Sequence, residues 1–190
     1  MHKPASILLF CLFIFSTPVT AKEIEDVVIP DTLAFNNSDT TLVLNGAGIR
    51  EKFFLDIYIG ALYLQATTPD ANAILSDTGP ASVLMHILYG EVSKQKITDG
   101  WNDGLEANLS DAKLQAIKPK LKKFNSLFQT MRKGDVLRID YIPETGTEVR
   151  INGEWRGAVE GNDFYRSLLK IWIGSHPVSE SLKQGMLGND

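Results

Sequence analysis

Cysteine and histidine are scarce in this 190-residue sequence, which has one Cys and three His. A single cysteine, Cys11, forms no internal disulfide, so the fold must be held together by its hydrophobic core. Hydrophobic residues make up 44% of the chain, a proportion that supports such a core and excludes a disordered protein. The formal net charge of −4 and the lack of a basic tail argue against a nucleic-acid partner, whose phosphates require clustered Lys and Arg.

Motifs for metal, phosphate or nucleophile chemistry are also missing. His86 and His176 are far apart in the chain, and neither has Cys or paired carboxylates at ligand spacing, so we expect no metal site. The segment 46–48 (Gly-Ala-Gly) lacks the third glycine of a dinucleotide-binding loop. His86 lies in a predicted strand and is interpreted as a packed or edge residue. The sequence therefore predicts no cofactor.

The first 21 residues have the pattern of a targeting segment. A basic residue near the start is followed by an apolar run over 7–15 and by small residues up to Ala21. This pattern predicts a secretory signal peptide that is cleaved after Ala21. The rival interpretation is a membrane anchor, but the run is only about half of the 20 or so residues that cross a bilayer. Cys11 lacks the preceding small residues of a lipoprotein signal. We therefore expect a periplasmic or secreted protein without stable membrane insertion and, after cleavage, without cysteine.

Residues 22–190 contain no linker or internal repeat, which predicts a single domain. The residues 152–153 (Asn-Gly) are a strong hairpin signal, because this pair tolerates the positive φ of a tight turn. A glycine-punctuated bend is expected over 45–50. Runs of β-branched, aliphatic and aromatic residues predict strands at 41–45, 53–64, 81–89, 135–142, 148–152 and 155–159.

Helical patterns fall between and after these strands. Apolar residues recur every four positions from Ser93 onward, which predicts one helix, with Gly100 and Gly104 leaving room for close backbone approach. A second helix is expected from Ser110 to about 134, kinked or restarted at Pro119. Shorter helices are expected over 164–174 and 179–186. This order of elements predicts an α+β fold in which helices cover one face of an antiparallel sheet.

One constellation of residues points to ligand binding. The segment 45–50, Asn-Gly-Ala-Gly-Ile-Arg, precedes an aromatic strand that carries Tyr58 and Tyr63. Arg50 offers a permanently charged fork that can bind a carboxylate in two places. Alternatively, Arg50 is an ordinary surface arginine that pairs with Glu51. The sequence pattern by itself does not decide between these two interpretations.

Two separated segments carry a family resemblance. Residues 46–50 (Gly-Ala-Gly-Ile-Arg), followed by 52–53 (Lys-Phe) and by the strand through Leu64, resemble the chalcone isomerase superfamily. Residues 172–183, which begin Trp-Ile-Gly-Ser-His, are similar to a C-terminal segment of the same family. The resemblance is closest to the secreted bacterial chalcone isomerase-like proteins. It implies an open-faced β-sandwich, with a large antiparallel sheet, helices packed on one face, and a ligand cleft between the layers.

The resemblance also implies roles for individual positions. The catalytic arginine of the plant enzyme corresponds to Arg50, and its partner threonine to Tyr58. Its tyrosine, its asparagine and a C-terminal threonine correspond to Val92, Asp99 and Ile171. Most of the enzyme's polar set is thus replaced, and Asp99 is the only further candidate acid or base. An arginine with a tyrosine instead resembles the fatty-acid-binding branch of the superfamily, where both hold the carboxylate.

A geometric condition accompanies this pair. In one unbroken strand Arg50 and Tyr58 would lie roughly 26 Å apart, too far to share a carboxylate. A turn between them is therefore required. If the alignment of this strand with the family is shifted, so that Tyr58 does not match the threonine position, Tyr63 or Tyr89 becomes the partner of Arg50.

Three hypotheses for function remain at this point. The first is an exported, non-catalytic binder of a fatty acid or another small apolar carboxylate, held by Arg50 and Tyr58. The second is an isomerase (intramolecular lyase) of the chalcone isomerase type, which would use Asp99 or Tyr58 as acid or base. The third is a structural or interaction module whose pocket is too small for any ligand.

Overall fold

The computed structural model describes residues 21–35 and 40–189. The predicted signal peptide, including Cys11, lies outside the described residues except for its last residue, Ala21. Its cleavage and the export of the protein stay predictions. No helix within the described residues is long and apolar enough to cross a membrane.

The centre of the fold is a seven-stranded antiparallel sheet. Its strands are β3 (Thr32–Ala34), β4 (Thr41–Lys52), β5 (Leu55–Leu64), β6 (Ala81–Ile87), β9 (Val136–Ile142), β10 (Gly146–Ile151) and β11 (Glu154–Val159). They lie side by side in the order β11-β10-β9-β6-β5-β4-β3. Two further antiparallel pairs flank it, β1 (Ala21–Ile24) with β2 (Val27–Pro30) and β7 (Glu91–Val92) with β8 (Met131–Arg132).

Within the described part of the chain, five helices contribute to one large apolar core on a single face of this sheet. Three of them begin at a side-chain cap, since Asp70, Ser93 and Ser179 each accept a hydrogen bond from a backbone N–H of the first turn. The residues before the other two helices, Ser110 and Gly161, make no such hydrogen bond. The predicted α+β fold with helices on one face is therefore confirmed. The helices are α1 (Ala71–Ser76), α2 (Lys94–Asn108), α3 (Asp111–Ser126), α4 (Asn162–Ile173) and α5 (Glu180–Met186).

A smaller apolar cluster lies on the opposite face of the sheet. It contains Ile59 and Tyr63 of β5, which alternate with the residues that face the helices. The β1–β2 hairpin packs here through Ile29, and the Tyr63 hydroxyl donates a hydrogen bond to the backbone oxygen of Pro30 at 2.8 Å. Within the described residues, no helix contributes to the cluster on this face, which a hairpin partly covers.

The glycine-rich segment 45–50 is not a bend, contrary to the sequence-based expectation. It belongs to β4, with an irregularity in the register between Leu44 and Gly46. A Cβ atom at Gly46 would collide with the backbone oxygen of Gly185, and one at Gly48 would lie 3.4 Å from the Gly185 Cα atom. The close neighbour of these glycines is therefore α5, which packs directly onto the backbone of β4.

The predicted strand over 53–64 is wrong at its beginning. Phe53 and Phe54 form a two-residue turn, with φ angles of 51° and 63°, and β5 begins at Leu55. The long aromatic run concealed this turn because phenylalanine favours strands and disfavours positive φ. The turn folds β5 back along β4.

The second predicted helix also differs from the expectation. It ends at Ser126, and Met131 lies in the short strand β8 instead. Pro119 does not divide α3, which continues through it. Both Pro119 and Gln115, whose carbonyl loses its usual donor, are exposed, so water can satisfy that carbonyl.

Candidate functional site

A cavity of about 710 Å³ lies between the sheet and α2. This volume is within the range of roughly 300–1,000 Å³ that is typical of small-molecule sites. Its buried wall is almost entirely apolar, whereas the charged lining residues other than the half-buried Arg50 are exposed around the opening. The buried lining residues are Tyr58, Met85, Ile87, Ile97, Trp101, Met131, Leu137 and Ile171.

Arg50 and Tyr58 both line this cavity and are direct neighbours across the β4–β5 hairpin. The turn at 53–54 places their Cα atoms opposite each other in the antiparallel register, which corresponds to a separation of about 5 Å. The required turn is therefore present. On the other side of Tyr58, Ile87 of β6 is its neighbour in the strand register. The three cross-strand neighbours therefore lead from the charged Arg50 to the apolar wall of the cavity.

Arg50 as a whole is half-buried, and its guanidinium forms no ion pair with any described residue. The alternative of a surface arginine paired with Glu51 is thus not what the structure shows. The other arginines of the sheet differ in this respect, since Arg138 and Arg150 each contact a carboxylate. An unpaired cation in the wall of a cavity is available to an anionic ligand.

The Tyr58 side chain is only 7% exposed, and its hydroxyl accepts a hydrogen bond of 3.0 Å from the Trp172 indole. Burial raises the pKa of Tyr58 to about 12, although Arg50 and the Trp172 hydrogen bond act in the opposite direction. The hydroxyl is therefore protonated at neutral pH. Because Trp172 uses only an acceptor position of the oxygen, the hydroxyl hydrogen remains available as a donor.

The three further positions from the comparison with the plant enzyme, Val92, Asp99 and Ile171, also line the cavity. Val92 and Ile171 contribute apolar surface, and Asp99 is exposed at the opening. The Asp99 carboxylate accepts a hydrogen bond of 2.7 Å from the Gln95 side chain, one turn earlier on α2. The structure thus brings all five positions from the family comparison into one cavity.

The two other tyrosines considered as partners of Arg50 occupy different places. Tyr63 lies on the opposite face of the sheet and does not line the cavity. Tyr89 does line it, at the opening, with 38% of its surface exposed. Of the three candidates, Tyr58 is the one paired with Arg50 in the strand register.

The two histidines of the described chain lie apart. His86 is opposite Ile59 on the face away from the cavity, and burial lowers its pKa from the ordinary value. His176 lines the opening and is exposed. Within residues 21–35 and 40–189 there is no group of three or more His, Cys, Asp or Glu that could hold a metal ion.

Several cavity residues could not be found from the sequence. The role of Trp172 could not be found either: it lies in the predicted helix over 164–174 and outside the cavity lining, yet its indole donates a hydrogen bond to the Tyr58 hydroxyl. Met131 and Leu137 come from elements that are distant from Arg50 in the chain, and no local pattern links them. Gly100 also lines the cavity, and its position one turn before Gly104 was the only available signal.

Fold and site together define an α+β protein with a largely apolar cavity between sheet and helices and one unpaired arginine in its wall. A profile of the chalcone isomerase-like family matches residues 21–188, so the chain belongs to the chalcone isomerase-like family. Among solved structures, the fold is similar to that of a fatty-acid-binding protein from Arabidopsis thaliana, with a TM-score of 0.67 and 18% sequence identity. The superposition covers 90% of this chain and 97% of that one. A comparison with curated proteins gave no match.

Proposed function

We propose that this protein is an exported, non-catalytic binder of a fatty acid or another small apolar carboxylate, which occupies the cavity between the sheet and α2. The observation that carries the proposal is the unpaired Arg50, which lies opposite Tyr58 in the strand register and lines with it a cavity whose buried wall is apolar. Export rests on the signal-peptide pattern of residues 1–21.

The carboxylate end of the ligand is bound by two donors. The Arg50 fork donates charge-assisted hydrogen bonds, which are about twice as strong as neutral ones. The protonated Tyr58 hydroxyl donates a further bond, and the Trp172 indole holds this hydroxyl in place. Because Arg50 is half-buried, water screens its interaction with the ligand less than at an open surface.

The apolar end of the ligand is accommodated by the buried wall. Each methylene removed from water contributes about 0.8 kcal/mol, so the tail supplies most of the affinity and the carboxylate supplies the orientation. Val92 and Ile171 offer no partner for a hydroxyl group. A polyphenol bound there would lose its hydrogen bonds to water without replacement, which costs about 1–3 kcal/mol for each group.

The two other hypotheses have less support. Tyr58 is protonated, which suits a donor and not a general base. Asp99 is exposed at the opening and is hydrogen-bonded to Gln95, so it is a weak candidate acid or base. An interaction module does not need a cavity of about 710 Å³. The Arabidopsis neighbour is described as a fatty-acid-binding protein, which agrees with the first hypothesis.

The test is to identify what the purified protein carries. The full chain is expressed in bacteria, purified from the compartment in which it accumulates, and extracted for lipid mass spectrometry. We expect a carboxylic lipid in the wild type, its loss in Arg50→Ala, and its retention in the control Arg156→Ala, on strand β11 outside the cavity. If no lipid is extracted from the wild-type protein and it binds no added hexadecanoate, this function is ruled out.

A further inference from the structure

Two glycines one turn apart on α2 have different surroundings. A Cβ atom at Gly104 would lie 2.9 Å from the side chain of Ile171 on α4, so Gly104 allows the two helices to pack closely. A Cβ atom at Gly100 would have no atom within 4 Å. Helix packing therefore explains Gly104 and leaves Gly100 unexplained.

Gly100 also has a cost for the helix. It lies in the interior of α2 (Lys94–Asn108), where glycine is about 1 kcal/mol less favourable than alanine. It does not end the helix, and its φ is not in the left-handed region. Neither a turn nor a contact within the described chain requires a glycine at this position.

The cavity supplies the missing reason. Gly100 lines the cavity and is itself exposed, so it lies at the opening, whereas Ile97 and Trp101 on the same helix form part of the buried wall. The β4–β5 hairpin lines the same cavity through Arg50 and Tyr58. Gly100 therefore marks a place where the backbone of α2 itself, without a side chain, borders the opening of the cavity.

We infer that Gly100 is a ligand-contacting position at the opening that sets how bulky a ligand the cavity admits, because a ligand that enters there lies directly against the bare backbone of α2. This inference rests on the proposed function, since it takes the occupant to be the same apolar carboxylate. Side chains at position 100 should exclude the ligand in proportion to their volume.

A graded series of substitutions tests this role, with hexadecanoate as the probe in isothermal titration calorimetry. Gly100→Ala should keep most of the affinity and raise the unfolding temperature. Gly100→Leu should bind more weakly, and Gly100→Trp should bind about tenfold more weakly or not at all. A Cβ atom at position 100 has no other atom within 4 Å, so none of the three substitutions introduces a clash there. Circular dichroism and thermal unfolding should therefore show intact folds.

The matched control is Glu106→Trp, which adds the same bulk to an exposed position of α2 outside the cavity and should leave the affinity unchanged. Equal affinity across the Gly100 series would overturn the inference. An equal loss in Gly100→Ala and Gly100→Trp would also overturn it, because backbone mobility and not space would then be the role of Gly100. Failure of the wild type to bind hexadecanoate would instead overturn the proposed function, and the inference with it.

Discussion

Two hairpins of the main sheet have two-residue turns with positive φ at both positions, but the residues in the two turns are very different. The β10–β11 hairpin turns at Asn152 and Gly153, with φ angles of 53° and 82°, and the β4–β5 hairpin turns at Phe53 and Phe54, with 51° and 63°. Two-residue turns of this kind favour Asn-Gly because both central residues have positive φ. The first hairpin has the residues that suit its turn, and the second does not.

Their surroundings differ as well. The Asn152 side chain accepts a hydrogen bond from the backbone of Val136 and donates one to Asp135, both at 2.8 Å. The Phe53 and Phe54 side chains are 84% and 101% exposed, and neither ring belongs to an apolar core cluster. Phe53 instead borders the opening of the cavity. The strained, exposed turn is thus on the hairpin that holds the candidate site, where departures from local rules are expected.

The largest effect is expected when the favourable turn receives the unfavourable residues. Changing Asn152 and Gly153 to Phe-Phe places two bulky residues at positive φ, at about 1 kcal/mol or more each, and removes the bonds to Val136 and Asp135. We expect a loss of about 3 kcal/mol in the free energy of unfolding, measured by urea denaturation. A loss below about 0.5 kcal/mol would show that the turn residues matter little in this sheet.

The reverse exchange should stabilise the protein. Changing Phe53 and Phe54 to Asn-Gly relieves the strain at positive φ, so we expect the free energy of unfolding to rise by about 1–2 kcal/mol. The control is Leu-Leu at the same positions, which removes the aromatic rings but keeps the strain and should bring no gain. Equal stability of the Asn-Gly variant and the wild type would contradict the assignment of strain to this turn.

The smallest effect concerns the carboxylate that anchors the favourable turn. Hydrogen bonds from the Arg132 backbone and from Asn152 lower the pKa of Asp135. Its stabilising contribution is therefore present above the ordinary Asp pKa of about 4 and is lost as the pH falls through the lowered value. The effect is small because Asp135 lies close to solvent.

Thermal unfolding between neutral and strongly acidic pH measures this contribution. Asp135→Asn should show a flatter loss of stability on the acid side than the wild type. Asn152→Ala should flatten it in part, because one of the two donors is removed. The same acid dependence in all three proteins would mean that Asp135 plays no part in the hairpin.

The sequence predicted those parts of the fold that depend on local chemistry. The hairpin at Asn152, the helix start at Ser93 and the helix end near Gly174 are all confirmed. The bend predicted at Gly46 is wrong because its cause is distant in the chain: the glycine accommodates α5 and does not break the strand. A turn between Arg50 and Tyr58 was required by the proposed pair, but its position at Phe53 was missed because its residues contradict the conformation that the hairpin imposes.

The candidate site was predictable only where a family motif marked it. Arg50 and Tyr58 came from such a motif, and the structure places them side by side. The tail-binding wall could not be predicted, because Met131 and Leu137 come from elements distant from Arg50 in the chain. The role of Gly100 depends on the open space next to its Cα atom, which Gly104 lacks, and no spacing of residues along α2 distinguishes the two glycines.

The most direct test of the central claim separates the carboxylate from the tail. Isothermal titration calorimetry compares hexadecanoate with hexadecanol, which has the same tail without the charge, in the wild type and in Arg50→Gln. We predict that the wild type prefers the acid and that Arg50→Gln loses about tenfold or more in affinity for the acid alone, since hydrogen bonds to charged groups contribute about 1.5–3 kcal/mol. Equal binding of acid and alcohol by the wild type, or an equal loss of both in the variant, would contradict the account.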